Sequence, residues 1–340
     1  MIEVNAPVTM SDVARAAGVS TATVSRVVNG HYGVSARTIA QVRSAIEQLG
    51  YESSLVASSL RRSRTNVLGL VAHSFPSYTA EVLKGVMKAL SRSGFDLIIY
   101  ANSDLYGSYL EGWEQRHVTR LSGTLTDGCI VVTPFGEVQS RTPVVAIDPV
   151  RGSTTPSVTA DNLAGATTAV KHLLDLGHRR IGFIAGRSSL AAAWSREEGY
   201  RAALADAGIP VDPTLIGEGD FNPESAAPLA RALLRRTDPP TAIFAASDGM
   251  ALKVLEVATE LGFSVPADLS VVGFDNIPES ALTEPGLTTV DQSMYQLGYE
   301  AARMLKSLVT DEWEGGRQIV VPTSLVVRGS TAPPKSTAGP

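Results

Sequence analysis

The sequence predicts an α/β protein: a small all-α head and a linker, followed by a larger two-lobed domain built on two parallel sheets. Three observations carry that prediction. Up to about residue 50 the apolar residues recur only at helical spacing, punctuated by caps and glycine stops. From Val67 onward, short and almost wholly apolar runs alternate with amphipathic helical stretches, the pattern of parallel strands covered on both faces. Charge is also unevenly spread: the chain is −5 overall, yet residues 1–65 hold seven Arg and no Lys against four acids. That makes the head +3 and the remainder −8, the electrostatic footprint of a chain whose small end meets phosphate.

In the head, Met10, Val13, Ala14 and Ala17 form one apolar face of a first helix, capped by Thr9 with Asp12 in its first turn and ended by Gly18. Ser20 is placed to cap a second helix, on which Val24, Val27 and Val28 point inward. At roughly 100° per residue, Ala22, Ser25, Arg26 and Asn29 share the opposite arc, with Thr21 at its exposed start. Small and polar side chains around one arginine suit a helix that must slide between phosphates and grip a base edge in the major groove. A third helix from Ser35 to Gly50 buries Ile39, Val42, Ile46 and Leu49.

The stretch TMSDVARAAGVSTATVSRVVNG, followed by VSARTIAQVRSAIEQLGY, resembles the DNA-binding head of the lactose-repressor (LacI/GalR) family of bacterial transcription regulators. The resemblance implies that Thr21, Ala22 and Arg26 read bases. It also implies that residues 53–65 form a hinge helix which pairs across a dimer and drives Leu60 into the minor groove at the operator centre. Val56, Ala57 and Leu60 give this segment an apolar side, although Ser53, Ser54 and Ser58 replace the Pro, Asn and Arg usual there. So short a helix is marginal alone and orders only with a partner.

Beyond the hinge the expected strands include VLGLVA, FDLIIY, CIVVT, VVAID, RIGFIA, AIFAA and SVVGF, with helices at 78–93, 113–121, 162–176, 195–208, 224–236 and 248–261. So long a series in about 260 residues indicates two sheets, with ligand bound where strand C-termini face one another. DNLAGATTAVKHLLDLGHRRIGFIAG, SVPADLSVVGFDN and PGLTTVDQ resemble the sugar-sensing core of the same family, itself similar to periplasmic sugar-binding proteins. The resemblance implies effector contacts at Asp148, Arg196, Phe221 and Asp275, and at Ser247, which stands where Asn is usual. An arginine and carboxylates can bracket vicinal hydroxyls while an aromatic ring packs on the apolar face of a sugar. The expected organisation is a head at 1–52, a hinge at 53–65 and an effector and dimerisation domain at 66–329. Its first lobe covers about 66–160 and 292–320, its second about 161–291 and 321–329. The Pro/Ser/Ala-rich end, 330–340, is expected to be disordered.

Several functions fall away. Cys129, the sole cysteine, lies in an apolar run, so no intramolecular disulfide or cysteine metal cluster can form. No apolar stretch approaches 18 residues and the N-terminus resembles no export signal, so a cytoplasmic location is expected, with no membrane contact. AASDG at Ala245–Gly249 resembles a hydrolase nucleophile elbow, but His31, His73, His117, His172 and His178 all precede Ser247, against the order that triad requires. No phosphate-binding loop, HExxH or full dinucleotide turn is present. The reading is therefore a regulator without cofactor or metal: a homodimer on a palindromic operator, released by a sugar. The competing readings are a sugar receptor whose head no longer regulates DNA, and a repressor that uses its ligand as co-repressor. Retention of Arg26 and Leu60 favours a working regulator.

Overall fold

The computed structural model describes residues 8–28, 33–51, 64–102 and 112–335, so Asn29, Leu60 and most of the hinge lie outside the described residues. The chain divides into two compact units between Thr65 and Asn66. In the first, α1 (Met10–Ala17) opens with a reciprocal cap: Thr9 Oγ1 accepts from the Asp12 amide, and the Asp12 carboxylate accepts from the Thr9 amide at 2.9 Å. Gly18 ends it at φ 65°. α2 (Thr21–Val28) starts on Ser20, whose Oγ accepts from the Thr23 amide at 3.1 Å, and α3 (Ala36–Leu49) starts on Ser35 in the same way. Val13, Ala14, Val24, Val42 and Ala45 are buried between them. This core orients the exposed arc of α2.

The second unit carries two six-stranded sheets. The first lobe contributes β1 (Val67–Ala72), α4 (Ser77–Leu90), β2 (Asp96–Ala101), α5 (Trp113–Leu121), β3 (Gly128–Val132), β4 (Val144–Ile147) and β5 (Ser157–Ala160). The chain then crosses into α6 (Asn162–Asp175), β6 (Ile181–Ala185), α7 (Ala191–Asp206), β7 (Ile216–Glu218), α8 (Pro223–Leu234), β8 (Ala242–Ala245), α9 (Asp248–Glu260), β9 (Ser270–Asp275) and β10 (Thr288–Asp291). It returns as α10 (Met294–Val309) and β11 (Gln318–Val321), and crosses again to β12 (Ser324–Val326). The strand orders are β11-β5-β4-β3-β1-β2 and β12-β10-β9-β8-β6-β7, every pair parallel except the antiparallel β10–β12 edge. Three crossings between lobes thus join them covalently. Central strands such as β1, β3, β6, β8 and β9 are buried along their whole length, as parallel strands covered on both faces must be.

Three expectations change. α7 begins at Ala191 rather than Ser195, because AAAW is itself strongly helix-forming. α10 was not anticipated; it buries Leu297, Ala301, Ala302 and Leu305 on the first sheet and lies against α4. There Gly85 and Gly298 let the two helices touch through their backbones, since a Cβ on either would run into the carbonyl of Tyr295 or Val82. Finally, the expected disorder does not begin at residue 330: residues 330–335 are held by hydrogen bonds, while 336–340 lie outside the described residues. Ser330 is buried, accepts from the Thr288 amide at 2.8 Å and donates to Val271 O at 2.6 Å. His178 Nε2 donates to Ala332 O at 2.9 Å, while its Nδ1 accepts from Thr241 Oγ1 at 2.8 Å. Composition alone offered no periodicity there, yet polar partners fix the segment as far as Lys335, which pairs with Asp268.

Candidate functional site

Where the strand C-termini of the two lobes meet, they leave a cleft of about 330 Å³. Each wall is set by the turn that follows a strand: His73 after β1, Phe135 after β3 and Asp148 after β4 from the first lobe, with Arg187 after β6, Ser247 after β8 and Asp275 at the end of β9 from the second. All five residues expected at an effector site, Asp148, Arg196, Phe221, Ser247 and Asp275, line this one cleft.

Arg196 sits in α7 and is 2% exposed. Its Nε donates to Asn162 Oδ1 at 2.8 Å, one terminal nitrogen to Ala246 O at 2.5 Å, and the other to Gln292 Oε1 at 3.3 Å. The same guanidinium pairs with Asp275 Oδ1 at 3.4 Å and lies 3.7 Å over the Phe274 ring. Gln292 Nε2 donates to that carboxylate at 2.5 Å. Across the cleft, Asp148 accepts from Tyr78 Oη and Thr159 Oγ1, both at 2.7 Å. Phe221 presses on Gly186, where a Cβ would overlap its ring, and the Arg196 guanidinium lies 5.5 Å from its centroid.

The site is electrostatically tense. Burial pushes the Asp275 carboxyl up to about 7, against the pull of Arg196 and with the help of Asp148. Burial holds Tyr78 well above its usual range, Asp148 adding to the shift. Asp248 is also pushed well above the carboxylate range by burial and then by Asp275, but it does not line the cleft. Its oxygens accept from Thr289 Oγ1 at 2.5 Å and the Ile277 amide at 2.9 Å, so it ties the β9 and β10 ends together. Ser247 Oγ accepts from the Met250 amide at 3.4 Å, capping α9 while it faces the cleft.

Sequence reasoning missed Tyr78, Asn162, Gln292, Phe135 and Arg187. Position after a strand or at a helix start was the available signal for each of them. In the head, Ser20, Thr21, Ala22 and Arg26 are exposed and Ser25 is half-buried; Ala22, Ser25 and Arg26 fall on the arc of α2 opposite Val24, with Ser20 and Thr21 at its N-terminal end.

Residues 9–54 match the family described as bacterial regulatory proteins, lacI family, and residues 170–331 match the periplasmic binding protein-like domain. The HTH-type transcriptional repressor PurR of Yersinia pestis (strain Pestoides F) is 36% identical over 330 residues, covering 95% of this chain and 97% of that protein. The chain belongs to the lacI family. It is therefore a DNA-binding transcriptional regulator. Among solved structures, the transcriptional regulator CelR in complex with cellobiose shares 33% identity at a TM-score of 0.72, covering 95% of this chain and 99% of that one. The lac repressor dimer bound to operator and the anti-inducer ONPF shares 30% at 0.82, covering 96% and 100%. Among the described residues no helix is long and apolar enough to cross a membrane.

Proposed function

We propose that this lacI-family regulator is a homodimeric repressor of carbohydrate-utilisation genes, and that an uncharged sugar filling the cleft lowers its affinity for a palindromic operator. The observation that carries the effector class is the way the cleft's charges are already engaged. Arg196 is committed to Asn162, Ala246, Asp275 and Gln292, and Arg187 donates to two backbone carbonyls, while Asp148, Asp220 and Asp275 present carboxyl groups. Such a lining favours hydroxyl donors over phosphate or carboxylate ligands. Phe221 supplies the ring on which a pyranose packs. The name of CelR's ligand, cellobiose, agrees with this class.

On the DNA side, Thr21, Ala22 and Arg26 read base edges, with Ser20, Ser25 and Asn29 flanking them, and Leu60 is the wedge between the half-sites. Effector binding changes operator affinity only through different affinities for the DNA-competent and incompetent states, typically worth about 1–3 kcal/mol. The test is fluorescence anisotropy at fixed salt on a palindromic duplex from the protein's own upstream region, against a scrambled duplex, with neutral sugars and their phosphate esters added. Palindrome preference that a neutral sugar weakens is expected. Preference strengthened by the sugar would replace release with co-repression, and a response only to phosphate esters would refute the effector class.

A further inference from the structure

The two lobes are joined by more than their three chain crossings. Arg187, in the second lobe just after β6, donates from one terminal nitrogen to Thr133 O and Pro134 O, both at 3.1 Å, in the first-lobe turn after β3. Its guanidinium carbon lies 3.6 Å from the centroid of Phe135 in that same turn. Beside it, the Arg151 amide of the first lobe donates to Ser189 O at 2.9 Å, and the Ala191 amide of the second lobe to Pro149 O at 3.1 Å. The arginine's own loop is anchored to its lobe through Ser188 N and Glu218 Oε1, 2.9 Å apart. Asp220, whose carboxyl burial pushes up and Arg187 draws back down, faces the same guanidinium. Both Arg187 and Phe135 also line the cleft.

We propose that Arg187 and Phe135 form a clasp that holds the lobes closed over the cleft, so that entry and exit of the effector require the clasp to open. An arginine suits this task because a planar guanidinium can stack on a ring and direct two N–H bonds from its edge at once, which an ammonium cannot do. Two rigid lobes joined by short crossings are the usual substrate for hinge motion, and a single non-covalent contact across the gap biases such a hinge. The consequence for ligand entry rests on reading the cleft as the effector site; the clasp itself is tested without ligand, so the two ideas fail separately.

The experiment is hydrogen–deuterium exchange by mass spectrometry on the full-length protein without added sugar. The reporters are peptides containing the Arg151 and Ala191 amides, both bonded across the lobes. Arg187→Ala and Phe135→Leu alter opposite halves of the clasp, and Arg187→Lys keeps the charge and N–H donors while losing the planar group that stacks on the ring. Exchange at both reporters should rise roughly tenfold in the first two variants and by less in Arg187→Lys, with the interior strands β3 and β8 unchanged. Acceleration in Arg187→Ala alone would mean a loosened loop and would overturn the clasp. So would unchanged reporters in both variants, or acceleration that spreads equally into β3 and β8. The sugar titration above decides the effector reading independently.

Discussion

Replacing Arg196 by methionine isolates what the buried centre of the cleft contributes. Met keeps an unbranched apolar stem against Phe274 but removes the charge and every donor. It leaves Asn162 Oδ1, Ala246 O, Gln292 Oε1 and the Asp275 carboxylate without the group that now satisfies them. Breaking one side of a buried ion pair costs about 3–5 kcal/mol, chiefly from the charge left behind. Asp275 can relieve part of that cost by taking a proton, which makes the loss depend on pH. In the unfolded chain its pKa is 3.8; folded, it is about 7. A raised carboxyl pKa means that the native state binds more protons than the unfolded one, so wild-type stability falls as pH rises toward 7 and then levels. Arg196 lowers that pKa, so the variant's lies higher and its decline continues past 7, at up to about 1.4 kcal/mol per pH unit. Urea unfolding at one fixed protomer concentration, at pH 6 and pH 8, should therefore give a smaller loss at pH 6. A loss under about 1 kcal/mol at both values, or an equal loss at both, would refute the pairing.

Three further substitutions probe other parts of the molecule. Arg26→Ala should reduce discrimination by about 1–3 kcal/mol at one base pair of each half-site, read by substituting the operator one base pair at a time; unchanged preference would remove Arg26 from the readout. Gly298→Ala places a methyl against Val82 O and should cost about 1–3 kcal/mol in chemical unfolding, because α4 and α10 must part; a neutral outcome would contradict their close contact. His178→Ala strips Thr241 and Ala332 of a buried partner. It should lower stability by about 1–3 kcal/mol and speed protease cleavage after Ser330, whereas unchanged cleavage would mean that the segment is held by its other bonds alone.

The alternation of strand and helix was legible because its signal is repeated: an apolar strand such as VLGLVA or SVVGF is buried on both faces wherever it lies in the sheet. Caps were legible for a similar reason, since Thr9, Ser20 and Ser35 act on amides three residues away. α10 was harder. Its face is apolar at the right spacing, but MYQLGYEAARMLKSLV follows strands of the other lobe, and its packing against α4 spans more than 200 residues of sequence, a distance over which no local pattern reports. The ordered segment from Ser330 to Lys335 was illegible for an opposite reason, because polar partners rather than periodicity hold it.

The cleft shows why a carboxylate closing a strand can be read from the sequence while most of the groups that hold it cannot. Several residues around it stand in left-handed backbone, among them Thr133, Asp148, Asp220, Phe221 and Asp275. Asp tolerates that conformation better than most side chains, but for β-branched Thr133 and bulky Phe221 it is costly, of order 1–3 kcal/mol each. Such geometry persists only where neighbours over-determine it. Asp148 is fixed by Tyr78 and Thr159, Asp275 by Arg196 and Gln292, and the Thr133 carbonyl by Arg187. These supporting groups come from two helices, a strand and two loops, and apart from Arg196, which the family resemblance marks, nothing in their local sequence identifies them. An Asp closing an apolar strand, by contrast, is visible in one dimension. The strained turns aim side chains into the gap between lobes instead of along the strands, and the polar groups that offset the strain in each lobe also set the cleft's hydrogen-bonding character. Arg187 therefore links the two concerns: the carbonyls it holds belong to one of these strained turns, and a loosened clasp should let that turn relax, so the exchange of the Phe135 amide itself should accelerate alongside the reporters in Arg187→Ala.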